Sequence, residues 1–83
     1  MITGRVQGVG FRYFIQRVAT QYGIDGWVRN TPEGRVEIEA EGDDGAMRQF
    51  EHHVSAGPAG ARVDQVDTTE LAVGPVRSGF SIR

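Results

Sequence analysis

Nine residues near the start of the chain decide its fold: Gly4-Arg5-Val6-Gln7-Gly8-Val9-Gly10-Phe11-Arg12. Two glycines, Gly8 and Gly10, interrupt an apolar run, and Arg12 follows where a helical pattern begins. Because glycine lacks a side chain, the backbone here can turn sharply and direct several N–H groups into one concavity. An oxyanion in that concavity would lie at the positive end of the helix, within reach of the planar guanidinium of Arg12. The stretch predicts a strand-to-helix turn that binds an anion such as a phosphoryl group.

The next residues predict one helix and two strands. Apolar side chains at helical spacing are followed by Gly23, a stop signal; they are Phe11, Ile15, Val18, Ala19 and Tyr22. Residues 24–30 predict a short strand that ends in the turn at 31–34, which contains proline and glycine. Residues 35–41 then alternate between apolar and charged side chains, the pattern of a strand with one buried face.

The second half repeats the helix and strand order. Asp43 or Asp44 can cap a helix whose apolar stripe consists of Ala46, Met47, Phe50 and Val54. A loop at 57–60, a strand from about 62 to 71, a break at Gly74-Pro75 and a short strand around 80–82 follow. We therefore predict a single α+β domain over residues 1–83. Its expected architecture is the ferredoxin-like split βαβ, βαββαβ plus a short C-terminal strand, with two helices on one face of a mainly antiparallel sheet.

Composition excludes several classes of function. The 83 residues contain no cysteine, which removes disulfides, thiol nucleophiles and thiolate metal sites. All nine basic residues are arginine, so Schiff-base chemistry and the lysine of a nucleotide-binding loop are excluded as well. The net charge of −2 gives no general attraction to nucleic acid or anionic lipid. No apolar run approaches the roughly 20 residues of a membrane span. We expect a monomer in the reducing cytoplasm.

The chain resembles the acylphosphatase family in motifs that appear in the expected order. Residues 4–12 are similar to the family's signature, and Trp27-Val28-Arg29-Asn30 followed by residues 34–37 resembles its second block. Residues 57–63 and the closing Gly79-Phe80-Ser81-Ile82-Arg83 also fit the family pattern. Only three residues precede the signature, fewer than is usual in similar members. We therefore expect a shortened first strand, at an interior position in the sheet.

The resemblance implies hydrolysis of the carboxyl–phosphate bond of small acyl phosphates, without metal or cofactor. It assigns phosphate binding to Arg12 and to the loop backbone of Gly8, Val9, Gly10, Phe11 and Arg12. It assigns the positioning of the attacking water to Asn30. Arg12 and Asn30 are thus the two expected catalytic residues.

Two other functions are compatible with parts of the pattern. Non-catalytic anion-binding modules of larger carbamoyl-transfer proteins also resemble acylphosphatases, although this chain has no zinc-finger-like cysteines. Residues 8–14 are superficially similar to an RNA-binding signature, but that signature belongs on a central strand with basic neighbours. Here it opens a helix, so we expect no nucleic-acid partner.

The remaining polar clusters predict structural roles. His52 and His53 are adjacent on the second helix and lack the i, i+4 spacing of helical metal pairs, so we expect them to be surface or partly packed residues. The acidic face of residues 35–41 is expected to be solvated. Trp27 and Phe50 are expected in the core.

Overall fold

The computed structural model describes residues 1–8, 10–69 and 79–83, and the elements follow the predicted order. Within these described residues, five strands and two helices are formed: β1 (Ile2–Arg5), α1 (Phe11–Tyr22), β2 (Asp25–Asn30), β3 (Val36–Glu41), α2 (Asp44–Ala56), β4 (Arg62–Val66) and β5 (Phe80–Ile82). Gly23 ends α1, as the sequence predicted. Asp43 occupies the N-cap position of α2, but its side chain forms no capping hydrogen bond, so only the position of the predicted cap is confirmed. None of the described helices is both long and apolar enough to cross a membrane.

The strands form one open mixed sheet in the order β4-β1-β3-β2-β5. The pairs β4–β1, β1–β3 and β3–β2 are antiparallel, whereas β5 lies parallel to β2 with Gly26 opposite Phe80. β1 is an interior strand, as expected, but its register with β3 consists of one pair, Ile2 with Val36. The two helices pack against the sheet, and the predicted ferredoxin-like α+β fold is confirmed.

The core lies between the sheet and the two helices. α1 contributes Phe11, Ile15, Val18 and Ala19, and α2 contributes Phe50 and Val54, so both predicted apolar stripes are confirmed. Apolar residues of the strands and adjoining loops complete it: Ile2, Val6, Ile24, Val28, Val36 and Phe80. Because side chains alternate along a strand, the strand residues directly before and after these core residues have their side chains on the other face of the sheet.

Trp27 is buried on that other face rather than in the main core. It is adjacent to the core residue Val28, and the guanidinium carbon of Arg83 lies 4.6 Å from the centroid of its ring. Glu37 on the same face forms an ion pair with Arg29. The acidic face of β3 is therefore partly paired and partly solvated.

The two histidines have the predicted structural roles. His52 is exposed, and His53 is half-buried, with its Nε2 atom 3.1 Å from the hydroxyl of Tyr22. This contact joins the last turns of the two helices.

The fourth strand is shorter than the sequence predicted. β4 ends at Val66, whereas the prediction extended it to Leu71, and residues 67–69 are not part of the strand. Immediately after β4, Asp67 exchanges two backbone hydrogen bonds of 3.0 Å with Met1. The end of the predicted strand and the predicted break at Gly74-Pro75 lie outside the described residues.

The backbones of β2 and β3 approach closely where Gly26 pairs with Ala40. Gly26 has φ of 144°, and a Cβ atom at this position would lie 1.9 Å from the carbonyl oxygen of Glu39. Its N–H donates to the carbonyl of Gly79 at 3.0 Å. Glycine is therefore required at the point where β2 is held between β3 and the segment that begins β5.

We expect Gly26→Ala to lower the free energy of unfolding by on the order of 3 kcal/mol, since both the clash and the positive φ must be relieved. Gly45→Ala is the matched control, because Gly45 lies in α2 with open space around it and should gain about 0.5–1 kcal/mol of helix stability. Urea denaturation of both variants measures the difference. A loss below about 1 kcal/mol for Gly26→Ala would contradict the close approach.

Candidate active site

A cavity of about 110 Å³ opens where β1 passes into α1 and where β2 ends. Its lining consists of Val6, Gly8, Gly10, Phe11, Arg12, Tyr13 and Asn30. The glycine loop and the two expected catalytic residues, which lie on different elements, thus meet at one cavity. Val9, the fifth member of the predicted phosphate loop, lies outside the described residues.

The loop and the first turn of α1 form an anion-binding geometry. Gly8 and Gly10 have φ of 76° and 72°, a conformation that side chains rarely allow. Gly10 begins the helix without a capping side chain, and the first turn contains no acidic residue. The first helical hydrogen bond runs from the N–H of Phe14 to Gly10 at 3.0 Å, so the N–H groups of the preceding turn have no helical acceptor. These N–H groups and the helix dipole favour an anion at this end.

Arg12 adds a full positive charge to the cavity. Its side chain is half-buried, and Nη1 donates to the carbonyl oxygen of Arg83 at 3.2 Å. No other hydrogen bond or ion pair of Arg12 is formed within the described part of the chain. The guanidinium is therefore anchored at one nitrogen while its remaining N–H groups are available to an oxyanion.

Asn30 contributes an unsatisfied polar atom to the same cavity. It is the last residue of β2, and its backbone is fixed opposite Val36 of β3. Its Oδ1 atom is buried and has no hydrogen-bond partner among residues 1–8, 10–69 and 79–83. An acceptor left in this condition costs about 1–3 kcal/mol, which marks Asn30 as a residue whose polarity local packing does not explain.

Two contacts that support the site were not anticipated from the sequence. Gln7 donates through Nε2 to the carbonyls of Thr31 and Arg35, at 3.0 and 2.9 Å. Thr31 is itself buried, and its hydroxyl accepts from the N–H of Arg35 at 3.1 Å. Gln7 therefore ties the glycine loop to the turn that follows Asn30. The sequence signal for this role was a polar residue between Val6 and Gly8. The neighbouring residues in the sequence did not indicate its partners, which are 24 and 28 residues away.

The structure places the aromatic stretch of residues 8–14 at a helix start, as the sequence predicted. Phe11 is 1% exposed and belongs to the core, so its ring is not displayed on the sheet surface. Within the described segments, no group of three His, Asp or Glu side chains is arranged to hold a metal ion.

Comparisons with known proteins show which family the chain resembles in sequence and fold. The family model described as Acylphosphatase matches residues 1–82. An acylphosphatase of a Nocardioides species is 46% identical over 82 residues, which cover 99% of this chain and 82% of the relative. The crystal structure of acylphosphatase from Bacillus subtilis superposes with a TM-score of 0.95 and 43% identity, and the match covers 99% of this chain and 91% of that one.

A larger protein contains a similar fold. The crystal structure of HypF from T. kodakarensis matches 99% of this chain with a TM-score of 0.88 and 29% identity, but the match covers 11% of that protein. The fold therefore occurs both in proteins of this size and inside a longer chain. With the family model matched over nearly every residue and relatives of similar length close to half identical, the chain belongs to the acylphosphatase family of hydrolases.

Proposed function

We propose that the protein hydrolyses small acyl phosphates to a carboxylate and inorganic phosphate, with Arg12 and the loop backbone binding the phosphoryl group and Asn30 positioning the water. One observation carries the assignment of these roles. Arg12 and Asn30, whose buried Oδ1 has no partner among the described residues, line the same cavity at an uncapped helix N-terminus. A cationic side chain, free N–H groups and a side-chain amide thus border one small volume.

The residues that line the cavity are suited to a substrate with a good leaving group. It contains no carboxyl, imidazole or thiol group among its described members. The carboxylate released from an acyl phosphate has a conjugate acid of pKa about 4, if it resembles Asp or Glu, and it leaves without being protonated. An alkyl phosphate ester must instead expel an alkoxide, which needs a proton donor. The site therefore favours acyl phosphates over simple esters.

Charge stabilisation is the task of Arg12 and the loop. Phosphoryl transfer spreads negative charge over three equatorial oxygens, and catalysis consists mainly of positioning and electrostatic stabilisation. Arg12 can hold two of these oxygens in its planar fork. Its bond to Arg83 limits the movement of the guanidinium, so little reorganisation is needed when the charge develops.

Asn30 is suited to orienting the nucleophile. Its amide is too weak a base to remove a proton, but Oδ1 can accept a hydrogen bond from a water molecule. In the reaction the water oxygen bonds to phosphorus, the bond from phosphorus to the acyl oxygen breaks, and the water proton passes to a phosphoryl oxygen of the substrate. The products are the carboxylate and inorganic phosphate.

The cellular location, oligomeric state and partners of the protein are inferred from its composition and family. The absence of cysteine fits a reducing compartment, and we place the protein in the cytoplasm as a monomer. Its partner is a small acyl phosphate, and we propose no nucleic-acid ligand.

Release of inorganic phosphate from benzoyl phosphate in a buffer with excess metal chelator tests the function directly. We expect full activity under these conditions and, on a simple alkyl phosphate, a rate at least about 100-fold lower, since no proton donor serves the alkoxide. A metal requirement, or similar rates on both substrates, would contradict the mechanism. Phosphate binding without turnover would instead identify a non-catalytic anion-binding module.

Arg12→Lys and Arg12→Ala should both lower kcat/KM by on the order of 10²–10³-fold, because lysine supplies a point charge without the planar fork. Arg48→Lys, at an exposed position of α2, is the matched control and should behave like the parent. Steady-state kinetics give the ratio, and circular dichroism verifies the fold. If Arg12→Lys keeps most of the activity, the bidentate role is wrong.

Asn30→Ala should lower kcat by on the order of 10²-fold and leave the inhibition constant of inorganic phosphate within a few-fold of its original value. The asymmetry is expected because Asn30 is assigned to water and not to phosphate. Asn30→Asp should weaken phosphate binding as well, since a carboxylate would repel the anion. Equal losses of turnover and phosphate affinity in Asn30→Ala would mean that Asn30 binds the phosphoryl group instead.

A further inference from the structure

Tyr13 is the aromatic side chain that α1 presents to solvent. It is 69% exposed, whereas Phe11 is buried and Phe14 is half-buried on the same helix. Among the large hydrophobic residues that the structure describes, Val66 is the only other exposed one, at 37%. An isolated exposed aromatic needs no explanation. What requires one is that Tyr13 stands beside the anion-binding cavity.

Tyr13 borders two adjoining depressions. One is the cavity that contains Arg12 and Asn30, and the other is a wider surface groove of about 520 Å³. The groove, which we call the α1 groove, is lined by Tyr13, Gln16, Arg17, Thr20 and Gln21. These residues follow one another at helical spacing, so they form a stripe along the outer face of α1. Tyr13 is thus the residue shared by the cavity and the surface of the helix beyond it.

The acyl group of a bound substrate needs such a surface. When the phosphoryl group occupies the cavity of about 110 Å³, the carbonyl carbon and its substituent must extend beyond it. The tyrosine ring gives a flat apolar area at that exit, and aromatic or aliphatic groups gain free energy by covering it. Gln16 is fixed in the groove because its Nε2 atom donates to the carbonyl of Phe80 at 3.0 Å.

Arg17 adds a charge one helical turn beyond the ring. It is exposed, and it forms no hydrogen bond or ion pair with any residue of the described segments. None of the five described residues that line the groove is acidic. Side chains four residues apart on a helix have Cβ atoms about 6 Å apart, close to the length of a benzene ring with its substituent. A substrate whose body lies on Tyr13 can therefore place an anionic end at Arg17.

We propose that the α1 groove is the acyl subsite of this enzyme. The body of the acyl group packs on Tyr13, and a carboxylate at its far end pairs with Arg17. The preferred substrates are acyl phosphates with an extended body and a second anionic group, and acetyl phosphate is a poorer substrate. This inference rests on the proposed function, since it requires the phosphoryl group to lie in the Arg12 cavity.

Three substrates separate the two contacts. Acetyl phosphate has no body to cover the ring, benzoyl phosphate supplies the body, and 4-carboxybenzoyl phosphate adds the far carboxylate. The quantity compared is the ratio of kcat/KM between two substrates on the same variant, so changes that affect all substrates alike cancel.

For Tyr13→Ala, we expect the ratio of benzoyl to acetyl phosphate to fall by about three- to tenfold, the range of an aromatic contact. Tyr13→Phe should keep the parent ratio, because the ring and not the hydroxyl makes the contact. If Tyr13→Phe reduces the ratio as strongly as Tyr13→Ala, the hydroxyl acts on the substrate and the packing role is wrong.

For Arg17→Gln, we expect the ratio of 4-carboxybenzoyl to benzoyl phosphate to fall by about two- to fivefold, the range of an exposed ion pair. The parent's preference should decrease in about 0.5 M salt, which screens exposed charges. Arg48→Gln, which removes an exposed arginine from α2 outside the groove, is the matched control and should leave the ratio unchanged.

The outcomes distinguish the subsite from the function itself. Hydrolysis of all three substrates with ratios that neither Tyr13→Ala nor Arg17→Gln changes would overturn the acyl subsite and leave the proposed function standing. Failure of the parent protein to hydrolyse any of the three would overturn the proposed function. An equal effect of Arg17→Gln and Arg48→Gln would show a general field effect and would remove Arg17 from the subsite.

Discussion

The burial of Phe11 is the interaction on which the rest of the site depends. Its ring is 1% exposed within the core, yet the same residue lines the anion cavity and begins α1. Because Phe11 anchors the first turn against the sheet, the turn cannot rotate without opening the core. The N–H groups at the helix start and the side chain of Arg12 are thereby held in one orientation. The packing of Phe11 therefore contributes both to the stability of the core and to the preorganisation of the site.

Local patterns were sufficient to predict the order of the helices and strands. The spacing of apolar residues identified both helices, and the alternation in residues 35–41 identified β3, because these signals depend on neighbours within one element. Arg12 and Asn30 were assigned by the motif resemblance, and the fold brings both to one cavity.

Long-range pairing accounts for what the sequence did not reveal. β4 ends at Val66, which pairs with Ile2 of β1, and the parallel position of β5 beside β2 depends on how the chain returns to the sheet. Gln7 finds its partners 24 and 28 residues away, and Arg12 finds Arg83 at a separation of 71. Trp27 is apolar like a core residue, but side chains alternate along β2, and Val28 is the residue that faces the core. Trp27 therefore lies on the other face of the sheet. These contacts join residues that are far apart in the sequence, so the pattern of residues within one helix or strand does not predict them.

The hydrogen bond between Arg12 and Arg83 joins residues that are synthesised at different times, 71 positions apart. Protein synthesis proceeds from the N-terminus, so Arg12 emerges long before its partner, and domains fold as units once enough chain is present. β5, which carries the backbone to Arg83, can join the sheet only after β2 is in place, because it pairs with β2 alone among the described strands. The guanidinium acquires its anchor only once β5 has paired with β2. A nascent chain that already contains Gly8, Arg12 and Asn30 but not β5 therefore still lacks that anchor.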